Sequence, residues 1–110
     1  MADFEIVREA TESRITLGEK LTASMIPTIQ VALKQELDAG VRGIVFNFAL
    51  METLDSSGIG LLIATGNSLA LVQGNIRLEN VSADIFKLLQ SMRLVDRLHV
   101  TGPSAEGVHG

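Results

Sequence analysis

A chain of 110 residues with 46% hydrophobic side chains is sized for one compact domain with a buried core. Zero cysteines exclude a disulfide framework and a thiolate metal site, and no run of about 18 uncharged apolar residues marks a transmembrane helix. A net charge of −4, scattered Lys and Arg, and aromatics limited to four Phe argue against nucleic-acid binding, which needs clustered cations and stacking rings.

The N-terminus "MADFEIVREA" lacks the basic and then apolar start of a signal peptide, so a cytoplasmic protein is expected. Phe4-Glu5-Ile6-Val7 and Arg14-Ile15-Thr16-Leu17 read as short strands, with the polar "EATES" as their hairpin loop. Ser24 suits the cap of a first helix with an apolar stripe of Ile26, Ile29, Leu33 and Leu37. Pro27 lies in its first turn, where a missing N–H costs little, and Gly40 ends it. Gly43 to Phe48 follows as a near-continuous apolar strand, suited to the centre of a sheet.

A second helix carries Ile59, Leu62, Ile63, Leu69 and Ala70 on one side and stops at Gly74. Ile76, Leu78 and Val81 alternate as a further strand. Ser82 caps a third helix bearing Ile85, Leu88, Leu89 and Met92, and Leu98-His99-Val100 reads as a last short strand. The order β-β-α-β-α-β-α-β predicts an α/β sandwich, a mixed sheet of four to five strands with helices mainly on one face. The tail "TGPSAEGVHG" is polar and Gly-rich and is expected to fray.

Chemistry concentrates in "LMETLDSSGIGLLIATG", residues 50–66, at the strand-to-helix connection. Asp55, Ser56 and Ser57 are all good cap types, because their oxygens accept from the orphan N–H groups of a first helical turn. A serine nucleophile elbow fails: Leu54 stands where the first Gly of G-x-S-x-G belongs, and neither His99 nor His109 is placed as a base. A dinucleotide loop fails as well. Ile63 replaces the third glycine, and the run from Phe48 to Gly58 is too long for a tight first turn, although Glu79 falls where a ribose-binding acid could. A phosphoacceptor is the third reading, since phosphate at a helix start meets the positive end of the dipole and adds about −1.5 to −2 charge.

Leu54-Asp55-Ser56-Ser57-Gly58-Ile59-Gly60-Leu61-Leu62 closely resembles the signature of STAS domains, above all that of bacterial anti-sigma-factor antagonists, D-[ST]-[ST]-G-[LIM]-G. The resemblance runs from residue 3 to about 100. "TLGEKLT" is similar to the family's L-x-G-x-L-D segment, and "NVSADIFKLLQSMRLVDRLHV" resembles its last helix and strand. It implies a single STAS domain over 1–110 that acts by partner switching and is not an enzyme. The unphosphorylated form would bind an anti-sigma factor that is also a serine kinase and free the sigma factor. Phosphorylation of Ser56 would abolish binding, and a PP2C-type phosphatase would restore it.

ATP and Mg²⁺ would belong to the kinase, so no cofactor or metal is expected on this chain, and a monomer is the default. The partner face implied comprises Asp55, Ser57, Gly58, Ile59, Met51 and Thr22, with Met51 and Ile59 as an apolar rim. Ser57 reads as a second capping hydroxyl, with an alternative role as the phosphosite. Gly58 and Gly60 would admit a partner's backbone, and Gly60 alternatively lets the helix pack tightly on the sheet. The sequence departs from the family at Thr22, where Asp is common, and at "PSAEGVHG", where a further amphipathic helix is usual. The alternative is a STAS scaffold subunit of a lipid-transport or stress-sensing complex, without a phosphoswitch.

Overall fold

A computed structural model of the chain describes residues 4–102. Strands β1 (Phe4–Glu9) and β2 (Glu12–Leu17) pair antiparallel, with Glu9 opposite Glu12, so the hairpin loop is only Ala10 and Thr11. Ala10 takes the left-handed conformation at φ 55°, which such tight turns need. After β3 (Lys20–Leu21) a single 3₁₀ turn, Ala23–Met25, leads into helix α1 (Ile26–Asp38). Ser24 therefore lies inside that turn and does not cap α1: the cap position is Met25, with no side-chain bond. Gly40, at φ 99°, closes α1 as expected.

Strand β4 (Gly43–Asn47) runs parallel to both β2 and β6 (Asn75–Glu79), giving the order β1-β2-β4-β6. Its neighbours on both sides explain the apolar run Ile44-Val45-Phe46, all buried. A separate two-stranded parallel sheet pairs β3 with β5 (Thr53–Leu54). Helix α2 (Ser56–Leu71) connects β5 to β6, and α3 (Ala83–Ser91), capped by Ser82 through the Ile85 N–H, follows β6. The sequence Leu98-His99-Val100 forms no strand. It turns at His99, φ 52°, and makes one parallel bridge, Leu78 to Val100.

Burial alternates along β2 and β6, so one face of the sheet meets the helices. Ile15, Leu17, Ile44, Phe46, Ile76 and Leu78 point there, into a core shared with Ile29, Leu33, Leu62, Leu69 and Leu89. On the other face, register aligns Arg14, Val45 and Arg77. Arg14 and Arg77 both bind Glu79, at 2.7 and 3.2 Å, and this charged roof leaves Val45 only 1% exposed.

Two details of α2 differ from expectation. Leu61 and Thr65 are buried and Ala70 is exposed, because the helix packs on α1 as well as on the sheet. Past the helix end, Gln73 takes the left-handed conformation at φ 60°. Gly74 is needed for another reason, since the Arg42 carbonyl occupies the place of its side chain. In α3 the expected stripe narrows to Ile85 and Leu89, with Leu88 and Met92 exposed. The expected fraying tail lies, from residue 103 on, outside the described residues, as does His109.

Candidate functional site

The small sheet explains how two distant loops meet. Lys20 pairs with Thr53 and Leu21 with Leu54, and the Glu19 carbonyl accepts from the Glu52 and Thr53 N–H groups at 2.7 and 2.9 Å. This brings Thr22 and the 3₁₀ turn beside the start of α2. Thr22 is half-buried and extended, at φ −129° and ψ 171°, and its side chain does not cap the turn.

Asp55 is the N-cap of α2, at φ −101° and ψ −179°, with Oδ1 accepting the Gly58 N–H at 2.9 Å. Its other oxygen, Oδ2, accepts the Ala23 N–H at 3.0 Å across 32 positions of sequence. Sequence reasoning found the cap and missed this second bond. The Gly58 N–H, then those of Ala23 and Ser57, favour the charged carboxylate over the opposing effect of burial and hold Asp55 below the usual carboxylate range.

Ser56 and Ser57 form the first two positions of α2, and both are exposed. With Asp55 as the cap, Ser57 lies inside the helix and is not a capping hydroxyl. Ser56 is thus a primary hydroxyl at a helix N-terminus, next to a carboxylate already satisfied by backbone N–H groups. Among the described residues His99 is the sole histidine, and its Nδ1 lies 2.8 Å from the Ile76 carbonyl on β6. No three His, Asp or Glu side chains among the described residues converge as a metal would require.

The two glycines of the motif divide their roles against expectation. A side chain on Gly58 would strike the Leu21 carbonyl and come within 2.8 Å of Leu54 Cδ1 and 2.9 Å of Leu21 Cγ. Gly58 is the residue that lets α2 approach the β3 segment, so its bareness serves internal packing rather than an outside contact. Gly60 faces open space, with nothing within 4 Å of where a side chain would begin, and plays no part in packing the helix on the sheet.

Met51 and Ile59 are each 6% exposed and belong to the core, so neither forms a surface rim. The exposed apolar side chain is Leu50, at 58%. A tight turn, closed by the Met51 N–H to the Phe48 carbonyl at 3.0 Å, sends Met51 inward and leaves Leu50 outside. Asn47 holds that turn, its Oδ1 accepting from the Ala49 N–H at 3.1 Å and Asn80 Nδ2 at 2.8 Å. A cleft of about 320 Å³ between α1 and α2, lined by Leu33, Leu37, Leu61 and Thr65, includes none of the motif residues from Asp55 to Gly60. Among the described residues, no helix is long and apolar enough to cross a membrane.

Comparison with known proteins gives a consistent picture. The family model for the STAS domain matches residues 5–106. No curated protein matches the chain by sequence. The structure of the anti-sigma factor antagonist SpoIIAA in its unphosphorylated form superposes with a TM-score of 0.79 at 23% identity, covering 94% of this chain and 91% of that one. The phosphorylated form of SpoIIAA from Bacillus gives 0.74 at 23% identity, over 94% and 95% of the two chains. An anti-sigma-factor antagonist (STAS) domain protein from Planctomyces limnophilus gives 0.78 at 20% identity, over 97% and 95%. At these identities the likeness is one of fold.

Proposed function

This chain belongs to the STAS domain family, and we propose that it acts there as an anti-sigma-factor antagonist switched by phosphorylation of Ser56. The observation that carries the reading is Ser56 itself, an exposed hydroxyl at the start of α2, beside a capping carboxylate that also binds the 3₁₀ turn. In the unmodified form this corner offers a partner a small, uncharged contact at Ser56. The partner is an anti-sigma factor that is also a serine kinase, and binding it frees the sigma factor in the cytoplasm.

Modification forms the Oγ–P bond of Ser56 and breaks the β–γ P–O bond of ATP bound to the kinase. ADP leaves, and the hydroxyl proton passes to a base of the kinase. The product carries about −1.5 to −2 extra charge next to Asp55. A surface that closed over the neutral hydroxyl must now desolvate a dianion or separate from it. A PP2C-type phosphatase restores the hydroxyl by hydrolysis. The chain is a substrate in both steps and supplies no cofactor.

Incubating the protein with its kinase and ATP, then mapping the product by mass spectrometry, tests the reading. Phosphate on Ser56 and loss of kinase affinity in Ser56→Asp are expected. Absence of phosphate on Ser56 would defeat the switch at that residue, and recovery of a membrane transporter as the main partner of native complexes would replace the reading with the scaffold role.

A further inference from the structure

Three links join the segment from Leu21 to Met25 to the start of α2. Two involve the Leu21 carbonyl, which accepts the Asp55 N–H at 3.3 Å and lies against the bare Cα of Gly58. The third is the Asp55 side chain. A helix cap needs one oxygen, and Oδ1 fills that need at Gly58, yet Oδ2 also takes the Ala23 N–H at 3.0 Å. The backbone link is long for an N–H···O bond and stops at Leu21. The charged bond from Oδ2 is therefore the strongest of the three links and the one hydrogen bond among them that reaches the 3₁₀ turn itself.

At the far end of that turn Met25 packs, partly buried, against the core, and the rest of the turn relies on hydrogen bonds. It contains no fully buried residue, the side chain of its cap Thr22 accepts no bond, and two backbone bonds close it, from the Met25 N–H to the Thr22 carbonyl at 2.9 Å and from the Ile26 N–H to the Ala23 carbonyl. Ala23 and Ser24 are exposed beside the hydroxyls of α2. Ser56 follows Asp55 directly, so a phosphate on its Oγ competes for the same first-turn N–H groups and repels the same carboxylate.

We propose that Asp55 is the positioning residue of the switch: it makes residues 22–25 part of the partner face and releases them when Ser56 carries phosphate. The signal thus reaches a second segment of surface without any change in the core. Its biological use rests on the phosphoswitch reading, but the coupling between Ser56 and Ala23 is a property of the chain alone.

The test uses the full chain with phosphoserine incorporated at position 56 during synthesis, so no kinase is needed. Amide hydrogen exchange is followed by NMR. Exchange at Ala23 and Met25 is expected to rise about tenfold, as loss of one charge-assisted hydrogen bond implies, with Leu62 and Leu69 unchanged. Asp55→Asn keeps an acceptor for Gly58 but loses the charge. There Ala23 should already exchange fast, and phosphoserine should add less than about twofold. Should Asp55→Asn fail to fold, the phosphoserine comparison in the natural background decides alone.

Ala23→Pro removes the donor and puts Cδ where the Asp55 carboxylate lay, so the link cannot form, and Thr22 already has the extended conformation required before proline. That variant should bind the kinase about tenfold more weakly while unphosphorylated. Ala23 exchange unchanged by phosphoserine would overturn the coupling, even with Ser56 proved to be the acceptor. Unchanged affinity of Ala23→Pro would remove residues 22–25 from the partner face. A kinase that leaves Ser56 untouched would defeat the proposed function and leave the exchange result standing.

Discussion

Glu36, near the amino ends of the parallel strands, and Asp55, beyond their carboxyl ends, each join two parts of the chain through one carboxylate. Glu36 is 7% exposed and uses side chains: Arg8 binds it twice at 2.9 Å, and the buried Ser13 hydroxyl donates at 2.6 Å. Asp55 uses backbone N–H groups of Gly58 and Ala23 at a more open surface. A buried carboxylate with its partners in place ties α1 to the hairpin and leaves nothing for a visitor to displace. An accessible one, held by donors that a new anion can also use, is a joint that a single modification can loosen. The same chemical group thus serves architecture at one end of the sheet and, in the proposed switch, regulation at the other.

The strongest way to break this contrast is Glu36→Ala. It strands the fully buried Ser13 hydroxyl, while Arg8, 44% exposed, falls back on water, so the loss should be about 3 kcal/mol, at the low end for broken buried pairs. The measurement is the urea midpoint at constant m. A loss below about 1 kcal/mol would make Glu36 a surface pair and erase the difference. Next in size is Gly58→Ala, which drives a methyl into the Leu21 carbonyl and should lower stability by about 2 kcal/mol. Its neighbour supplies the control: Gly60→Ala enters open space and should raise stability by about 0.5 kcal/mol through helix propensity. Equal effects at the two glycines would mean that α2 does not approach β3 as described.

Those glycines also show where sequence reading stops. Both lie inside one helical motif, and nothing in "SSGIGLL" says which of them meets another backbone. The four strands of the main sheet and all three helices were legible, because alternation in β2 and β6 and the apolar stripe of α1 are local consequences of one covered face. The pair β3–β5 was not, since two residues per strand carry no period. Everything built on that pair was equally hidden. Ala23 reaches Asp55 only once Leu21 lies beside Leu54, so the sequence shows the cap and not the clasp. Leu50 and Met51 were exchanged for a similar reason, because a turn closed by Phe48 decides which of two adjacent apolar side chains faces inward.

Acid separates the two carboxylates with the smallest perturbation. Arg8 holds Glu36 low against the opposing effect of burial, with help from Ser13, and Arg14 then Arg77 do the same for Glu79. Asp55 is held low by the Gly58 N–H first. A carboxyl depressed in the folded state contributes stability that is complete above its unfolded pKa, about 4, and is lost as pH falls through the folded value. All three groups therefore weaken the protein in the same direction. Protonating Glu36 breaks its charge pair with Arg8 inside a mostly buried cluster, so it should accompany global unfolding, seen by circular dichroism. Protonating Asp55 first surrenders Ala23, at an exposed turn with no fully buried residue, so it should register locally. On titration from pH 7 downward, the Ala23 and Gly58 amide shifts should move together, with a midpoint below the ordinary aspartate value and ahead of the loss of helix signal. With phosphoserine at position 56 that midpoint should rise, because a neighbouring anion favours the neutral acid. Amide shifts that stay flat until the whole chain unfolds would make Asp55 a second Glu36, an anchor with no slack for a switch to use.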